Sequence, residues 1–269
     1  MSADQDPNRR DLALALALAD LADGITMERF RADDLVIETK PDLTPVTEAD
    51  RAVEELLRKH IAAERPRHHV VGEELGADGT GGPGSARWII DPIDATKNYV
   101  RGIPVFATLI ALERDGAVAL GVASAPALGR RWWAARGAGA FANGAPVRVS
   151  RVARLADAQL GHSSISSWEA AGLRDPFLRL EQRCWRGRGF GDFWIHMLVA
   201  EGAVDVAAEP EVALWDVAAV QVIVEEAGGR FTSLDGAARP DRGSAVSSNG
   251  LLHDDVLTIL GAPSAQGLS

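Results

Sequence analysis

The sequence predicts a protein of mixed α and β structure, with an α+β half up to about residue 150 and an α/β half after it. Three patterns predict this arrangement. Apolar side chains recur at helical spacing near the N-terminus, apolar strands follow one another directly in the middle of the chain, and strands alternate with helices after about residue 150. At 269 residues, the chain is long enough for one large or two small domains.

The first predicted helix runs from about residue 11 to about residue 30. Arg9 and Arg10 precede the apolar run LALALALA and loosely imitate a twin-arginine export signal, but the run is short and aspartates bracket it. We therefore interpret the segment as an amphipathic helix of a cytoplasmic protein. The apolar side chains that share one face of this helix are Leu14, Leu18, Leu21 and Ile25.

The rest of the first half is predicted to be rich in strands. A short strand over 35–37, a loop over 40–47 and a second helix over about 48–63 come first, and a short strand over 69–71 leads into a flexible loop over 76–86. The strands expected in the middle of the chain lie over 87–90, 106–113, 118–125 and 131–135.

The second half is predicted to alternate between helices and strands. Helices are expected over 174–182, 191–201 and 216–227, the last ended by two glycines. Short strands over 203–207 and 230–232 lie between them. The change from consecutive strands to alternating strands and helices predicts a domain boundary near residue 150, which divides the chain into residues 1–150 and 151–269.

The composition excludes several classes of protein. Lys and Arg number 28 against 38 Asp and Glu, so the formal net charge is −10. Nucleic acids and anionic membranes attract proteins with an excess of basic residues, and we expect neither as a partner. No uncharged apolar stretch of about 18 residues predicts a transmembrane helix. The lone cysteine, Cys184, cannot form an intrachain disulfide.

The segment WIIDPIDATKNY carries the strongest chemical signal. An apolar strand ends at Asp91, Pro92 fixes a turn, and Asp94 follows before the chain enters a predicted helix. Carboxylates at a strand end beside a helix N-terminus suit a hard cation bound to a phosphate. An ordinary Asp-Pro turn in which Asp94 caps the helix is the alternative interpretation.

Three further acidic motifs are ambiguous when taken singly. The stretch GEE at Gly72–Glu74 resembles a solvated helix start, TEAD at Thr47–Asp50 resembles a capped helix start, and Asp216 in WDVAA stands where a helix N-cap belongs. Taken together and in this order, TPVTEAD, GEE, WIIDPIDATKNY and WDVAA resemble the inositol-monophosphatase-like family of Mg²⁺-dependent phosphatases. The resemblance spans about residues 12 to 260. It implies a layered α/β/α/β/α sandwich of the type shared with fructose-1,6-bisphosphatases.

The resemblance also implies a role for each matching residue. The ligands of two or three Mg²⁺ ions would be Glu73, Asp91, the backbone carbonyl of Ile93, Asp94 and Asp216. The attacking water would be oriented by Glu73 and Thr96, with support from Thr47 and Asp50. The phosphate would be bound by the backbone N–H groups of Ala95 and Thr96. A small phosphorylated substrate is thus the expected partner, and the family further implies a homodimer.

Ala95 departs from the family pattern, which usually has glycine there. Glycine lets the backbone approach phosphate closely. We expect alanine to be tolerated because a first helical turn has a negative φ, so activity is retained. A non-catalytic, phosphate-sensing module is the alternative that Ala95 raises.

Several stretches resemble the bacterial histidinol-phosphate phosphatases of this family more closely than its inositol phosphatases. They are TKPDLTPVTEADRAVE, DATKNYVRGIPV, SAPALGRRWWAARGAGAF, GFGDFW and LVAEGAVDVAAEPEV. Histidinol carries an ammonium and an imidazole, so its pocket should offer acids beyond the metal ligands. Asp192 and Glu209 are the candidates, and Arg188 is a candidate contact to substrate or phosphate across a dimer interface. Inositol-1-phosphate remains the alternative substrate, because an inositol hydroxyl also binds carboxylates.

Overall fold

The computed structural model describes residues 7–41, 43–78 and 86–261. The helices are α1 (Pro7–Arg29), α2 (Glu48–Glu64), α3 (Thr96–Val100), α4 (Ile165–Ala170), α5 (Arg174–Arg183), α6 (Asp192–Ala200), α7 (Leu214–Glu226) and α8 (His253–Gly261). None of the helices in these segments is long and apolar enough to cross a membrane.

The strands form two large sheets and one small hairpin. The hairpin consists of β1 (Ile37–Thr39) and β2 (Pro45–Thr47). The first large sheet consists of β3 (His69–Gly72), β4 (Gly76–Ala77), β5 (Arg87–Asp94), β6 (Ala107–Arg114), β7 (Ala117–Ala125), β8 (Arg130–Ala135), β9 (Gly139–Ala142) and β10 (Ala145–Pro146). The second consists of β11 (Gln159–His162), β12 (Arg186–Arg188), β13 (Val206–Glu209), β14 (Arg230–Thr232) and β15 (Ala245–Ser248).

The first large sheet has the strand order β10-β9-β8-β7-β6-β5-β3-β4. Its strands run antiparallel except for β3 and β5, which are parallel. The strands are buried on both faces, so they alternate between two apolar layers rather than between apolar and polar residues. In β5, Trp88 and Ile90 pack with α1 and α2, whereas Ile89 belongs to the core on the opposite face.

The second sheet has the order β12-β11-β13-β15-β14. Strands β12, β11 and β13 are parallel, so their carboxyl ends lie at one edge, where open α/β sheets bind ligands. Apolar residues of α4, α5 and α8 cover one face of this sheet. Helices α6 and α7 lie between the two large sheets and share one apolar core with both. The layers therefore follow the order α/β/α/β/α, and the predicted architecture is confirmed.

Gly121 allows α7 to lie close against the first large sheet. A Cβ at this position of β7 would stand 2.7 Å from the carbonyl oxygen of Ala219 and 2.8 Å from Cγ1 of Val222, both in α7. No side chain larger than hydrogen fits between such a strand and helix without displacing one of them. This close approach fixes the height of α7 over the sheet and thereby the place of its first turn, which carries Asp216.

Some predicted boundaries are wrong. The strand expected over 35–37 lies at Ile37–Thr39, is exposed, and pairs with β2, which occupies part of the expected loop over 40–47. The strand expected over 203–207 begins only at Val206. Most of the loop expected over 76–86 lies outside the described residues. The domain division near residue 150 stays a prediction: the two sheets separate between β10 and β11, but α6 and α7 pack on both.

Candidate active site

Two aspartates at the end of β5 meet a third that is distant in the sequence. Oxygen atoms of Asp91, Asp94 and Asp216 all lie within 4.8 Å of one another. The pairing of β5 with β6 shifts register between Asp91 and Asp94, which brings both aspartates to the same place. Asp216 is the third residue of α7 and not its N-cap, and its carboxylate accepts a hydrogen bond of 2.8 Å from the N–H of Ala213.

These carboxylates are buried close together, so they stay ionised only if positive charge lies beside them. Burial, and then the charges of Glu73 and Asp94, raise the pKa of Asp91 well above its usual range. Burial, and then Asp192 and Asp216, act in the same way on the pKa of Asp94. The Oδ1 atom of Asp91 is buried and has no hydrogen-bond partner. A carboxylate-only donor set with an unpartnered oxygen fits a hard divalent cation such as Mg²⁺.

Glu73 stands beside this cluster and is held by a lysine. It follows β3, and its N–H donates to the carbonyl of Ile90 at 3.2 Å, which extends the pairing of β3 with β5. The ammonium of Lys40 lies 2.8 Å from Oε1 of Glu73 and 2.5 Å from Oε1 of Glu74. Burial opposes the charge of Lys40, but the hydrogen bonds to both glutamates prevail and raise its pKa. Lys40 therefore neutralises part of the acidic wall.

A buried glutamate of α2 shapes the loop that carries Glu73. Glu54 is fully buried, and its carboxylate accepts hydrogen bonds from the N–H of Glu74 at 2.8 Å, from the N–H of Leu75 at 3.2 Å and from Arg58 at 2.7 Å. A Cβ on Gly72 would stand 2.0 Å from Glu54 Oε1, so any larger residue there would displace the Glu54 carboxylate from these hydrogen bonds. The GEE segment is thus a loop clamped by α2 and not the start of a helix.

Thr47, Asp50 and Thr96 form a second polar group next to Glu73. Thr47 caps α2, and Asp50 accepts hydrogen bonds from its N–H at 2.8 Å and from its hydroxyl at 2.5 Å. The hydroxyl of Thr96 lies 2.9 Å from the carbonyl oxygen of Ile93 and 3.4 Å from Oδ1 of Asp50. Burial raises the pKa of Asp50 to about 7, although the hydrogen bonds from Thr47 lower it. Thr47 and Asp50 thus form a capped helix start, and they are also the two residues that were predicted to support the water-orienting groups.

Ala95 has a backbone conformation that contradicts our expectation. It precedes α3 with φ 66° and ψ 44°, in the left-handed region, whereas a negative φ was expected. The chain must turn sharply between the end of β5 and α3, and the helical conformation begins only at Thr96. Alanine in this conformation is strained because its Cβ crowds the following carbonyl oxygen. The family glycine would adopt the same turn without that strain.

The half of the site where substrate-binding acids are predicted is built around the first turn of α6. The N–H of Phe193 donates to Oδ2 of Asp94 at 2.8 Å and so joins this helix to the aspartate cluster. Asp192 lies at the wall of the cleft, and burial followed by the charge of Glu209 raises its pKa to about 7. Glu209, at the carboxyl end of β13, is 6% exposed and stands behind Asp192, whose N–H lies 3.3 Å from its Oε1.

A cleft of about 510 Å³ joins the two halves. Its wall includes Glu73, Ala95, Thr96, Lys97, Asp192 and Asp216. Arg188 is exposed on β12, the edge strand of the second sheet, and its guanidinium donates to the carbonyl of Gly187 at 2.7 Å. It is not among the residues that line the cleft of the same chain. Its predicted role therefore stays a prediction that involves a second subunit.

Comparison of the chain with models of protein families shows the family to which it belongs. The model of the inositol monophosphatase family matches residues 8–262, nearly the whole chain. The chain belongs to the inositol monophosphatase family. A histidinol-phosphatase of Mycobacterium tuberculosis is 58% identical over 257 residues, which cover 94% of this chain and 98% of that protein. A histidinol-phosphatase of Streptomyces coelicolor is 55% identical over 93% of this chain and 96% of that protein.

The solved structures agree with this membership of the inositol monophosphatase family. An IMPase from Thermotoga maritima matches with a TM-score of 0.84 and 33% identity, over 94% of this chain and 97% of that one.

Sequence reasoning missed Lys40 and Glu54, which shape the acidic wall of this family member. Lys40 lies inside TKPDLTPVTEADRAVE, and Glu54 is an acid directly beside Val53 on the buried face of α2. An acid at a buried helical position is itself a signal, because acids are rarely buried without a partner.

Proposed function

We propose that the chain is a Mg²⁺-dependent phosphomonoesterase that hydrolyses L-histidinol phosphate to L-histidinol and phosphate. The two relatives above 50% identity that carry the name histidinol-phosphatase support the substrate. The observation that carries the proposal is the position of Asp192, an acid at the cleft wall apart from the aspartate cluster, with a second acid, Glu209, buried behind it. Two neighbouring acids favour a leaving group that carries positive charge.

The acidic cluster would hold the metal. The ligands would be Glu73, Asp91, the carbonyl of Ile93, Asp94 and Asp216, for two or three ions. When bound, Mg²⁺ neutralises charge on the phosphate oxygens and lowers the pKa of a water molecule. The backbone N–H groups of Ala95 and Thr96, between the carboxyl end of β5 and the start of α3, would bind the phosphate next to these carboxylates.

The chain's own hydroxyl and carboxyl groups would orient the attacking water. The Thr96 hydroxyl hydrogen points to Ile93 or Asp50, so a lone pair of its oxygen is free to accept a hydrogen bond from water. Asp50 is held in place by Thr47. In the reaction, the water oxygen forms a bond to phosphorus, the ester P–O bond breaks, and the departing histidinol oxygen takes a proton from water.

Asp192 would bind the histidinol end of the substrate. Its carboxylate, with the negative charge of Glu209 behind it, attracts an ammonium or a protonated imidazole. Inositol-1-phosphate is the second candidate substrate. A Thermotoga maritima fructose-1,6-bisphosphatase/inositol-1-monophosphatase that is 36% identical over 80% of this chain favours it, and hydroxyl groups also donate to carboxylates.

We further propose that the protein is a cytoplasmic homodimer. Trp185 and Phe190 flank Arg188 in the sequence and are 63% and 39% exposed. Exposed aromatic side chains of this kind are typical of an interface between subunits. Sedimentation velocity would test the dimer, and a monomer at micromolar concentration would contradict it.

Phosphate release tests the proposed activity. We expect L-histidinol phosphate to release phosphate in Mg²⁺ and not in EDTA. An Asp192→Asn variant should keep the metal site and lose affinity for this substrate. No release from any small phosphate ester in Mg²⁺ would overturn the enzymatic function and favour a phosphate-sensing module.

A further inference from the structure

A fully buried histidine lies behind the substrate half of the site. His196 is in α6, one turn after Asp192, and has no exposed surface. Its Nε2 lies 3.1 Å from Oε2 of Glu209, and its Nδ1 lies 2.8 Å from Oγ of Ser247 in β15. A carboxylate only accepts hydrogen bonds, so Nε2 carries a hydrogen. His196 therefore joins β13 and β15 to α6 through polar contacts.

These contacts leave both oxygens of Glu209 engaged. Oε2 accepts from His196 and Oε1 accepts from the N–H of Asp192. The side chains of Asp192 and Glu209 repel each other, since Asp192 is a half-buried acid and Glu209 is a buried acid beside it. Without a donor on Oε2, Glu209 would be free to turn away from Asp192.

Asp192 itself has a strained backbone. Its φ is 55°, in the left-handed region, and Gly191 before it has φ 71°. A residue other than glycine keeps such a conformation only when several contacts with its surroundings hold it there. The hydrogen bond from the Asp192 N–H to Glu209 is one such constraint, and the hydrogen bonds from the Phe193 N–H to Asp94 and from the Gly191 N–H to His162 are others.

We propose that His196 is a positioning residue for substrate recognition. It fixes Glu209, and Glu209 fixes the strained turn from which Asp192 faces the cleft. The inference rests on the proposed function, because it assigns the purpose of this turn to binding the positively charged end of the substrate. His196 does not line the cleft, and its side-chain hydrogen bonds go to Glu209 and Ser247, so its side chain reaches the cleft through Glu209.

Two substitutions at position 196 separate positioning from simple packing. The amide nitrogen of glutamine reaches the place of His Nε2, so His196→Gln keeps a donor for Glu209. The shorter asparagine reaches only the place of Nδ1, so His196→Asn keeps the contact with Ser247 and loses the one with Glu209. His196→Asn leaves the larger cavity of the two, so packing is separated from positioning by the comparison of two substrates and by the Asp192→Asn background, not by the size of the loss alone.

The experiment measures kcat/KM for L-histidinol phosphate and for glycerol-2-phosphate, whose alcohol is uncharged. We expect His196→Asn to lower the ratio of kcat/KM for L-histidinol phosphate to kcat/KM for glycerol-2-phosphate by about 10- to 100-fold, because a buried hydrogen bond to a charged group is lost. The change should arise mainly from a higher KM for histidinol phosphate. His196→Gln should keep the ratio within about threefold of the wild type. In an Asp192→Asn background, His196→Asn should change the ratio little.

The outcomes are distinct. An equal loss in the two variants, or an equal loss on both substrates, would overturn the positioning role and leave His196 as a packing residue. An undiminished effect of His196→Asn in the Asp192→Asn background would also overturn it. A wild-type protein without preference for histidinol phosphate would overturn the proposed function and this inference together, whereas a preference that His196→Asn does not alter would overturn the inference alone.

Discussion

Replacement of Ala95 by glycine tests the strained turn at the phosphate-binding end of the site. The left-handed conformation of Ala95 costs about 1–2 kcal/mol relative to glycine. Two effects oppose the relief of this strain. Glycine adds about 0.4–1 kcal/mol of chain entropy to the unfolded state, and loss of a half-buried methyl group costs about 0.4 kcal/mol. We therefore expect a net stabilisation of about 0.5 kcal/mol.

Ala52→Gly provides the matched control. Ala52 is exposed in the middle of α2, where glycine costs about 1 kcal/mol. Thermal unfolding should therefore give Ala95→Gly a Tm about 3 °C or more above that of Ala52→Gly. The activity of Ala95→Gly should stay within about threefold of the wild type, because glycine adopts the same turn. A Tm for Ala95→Gly as low as that of the control would refute the strain argument, and a rise in kcat/KM by several orders of magnitude would show that Ala95 disables the native chain.

Three further predictions concern the metal and the packing of α7. Asp94→Asn should lower kcat by several orders of magnitude while the far-UV circular dichroism stays unchanged, and an active variant would contradict the ligand assignment. Burial and the neighbouring acids raise the pKa of Asp216 to about 7. The metal-free fold therefore binds more protons than the unfolded chain between about pH 4 and 7, and its stability falls as the pH rises. The gain in Tm on adding Mg²⁺ should be larger at about pH 8 than at about pH 5, and equal gains would contradict a metal site at this cluster. Gly121→Ala, whose Cβ would meet the backbone of α7 at 2.7 Å, should destabilise the fold by about 1–3 kcal/mol. The control Gly24→Ala in α1, with no atom within 4 Å of its Cβ, should stabilise the fold by about 0.5–1 kcal/mol, and similar effects of the two would argue against close packing at Gly121.

The sequence was informative where a chemical group coincides with a local signal. Asp91 and Asp94 end an apolar strand around a proline, and Asp216 begins a helix, so their motifs could be found without coordinates. The layered fold followed from the resemblance that those motifs carry. The strand predicted over 35–37 was misplaced because the prediction followed the apolar run of these residues, whereas the strand lies at Ile37–Thr39 in an exposed hairpin.

The remaining features depend on partners that are distant in the sequence. Glu54 acts on a loop 20 residues away, and His196 bonds to Ser247, 51 residues away. Local periodicity carries no information about such pairs. The φ of Ala95 is set by how β5 must turn into α3, which is a property of the assembled site. Arg188 lies exposed on the edge strand β12 and does not line the cleft of its own chain, so its predicted contact across a dimer interface stays a prediction.

The substrate preference of the wild-type protein tests the central claim most directly. The measurement is kcat/KM for L-histidinol phosphate and for inositol-1-phosphate under the same conditions, at saturating Mg²⁺. The acidic pair of Asp192 and Glu209 predicts that histidinol phosphate is preferred by about tenfold or more, since one charge-assisted contact has at least that effect. A preference of about tenfold or more for inositol-1-phosphate would contradict the account.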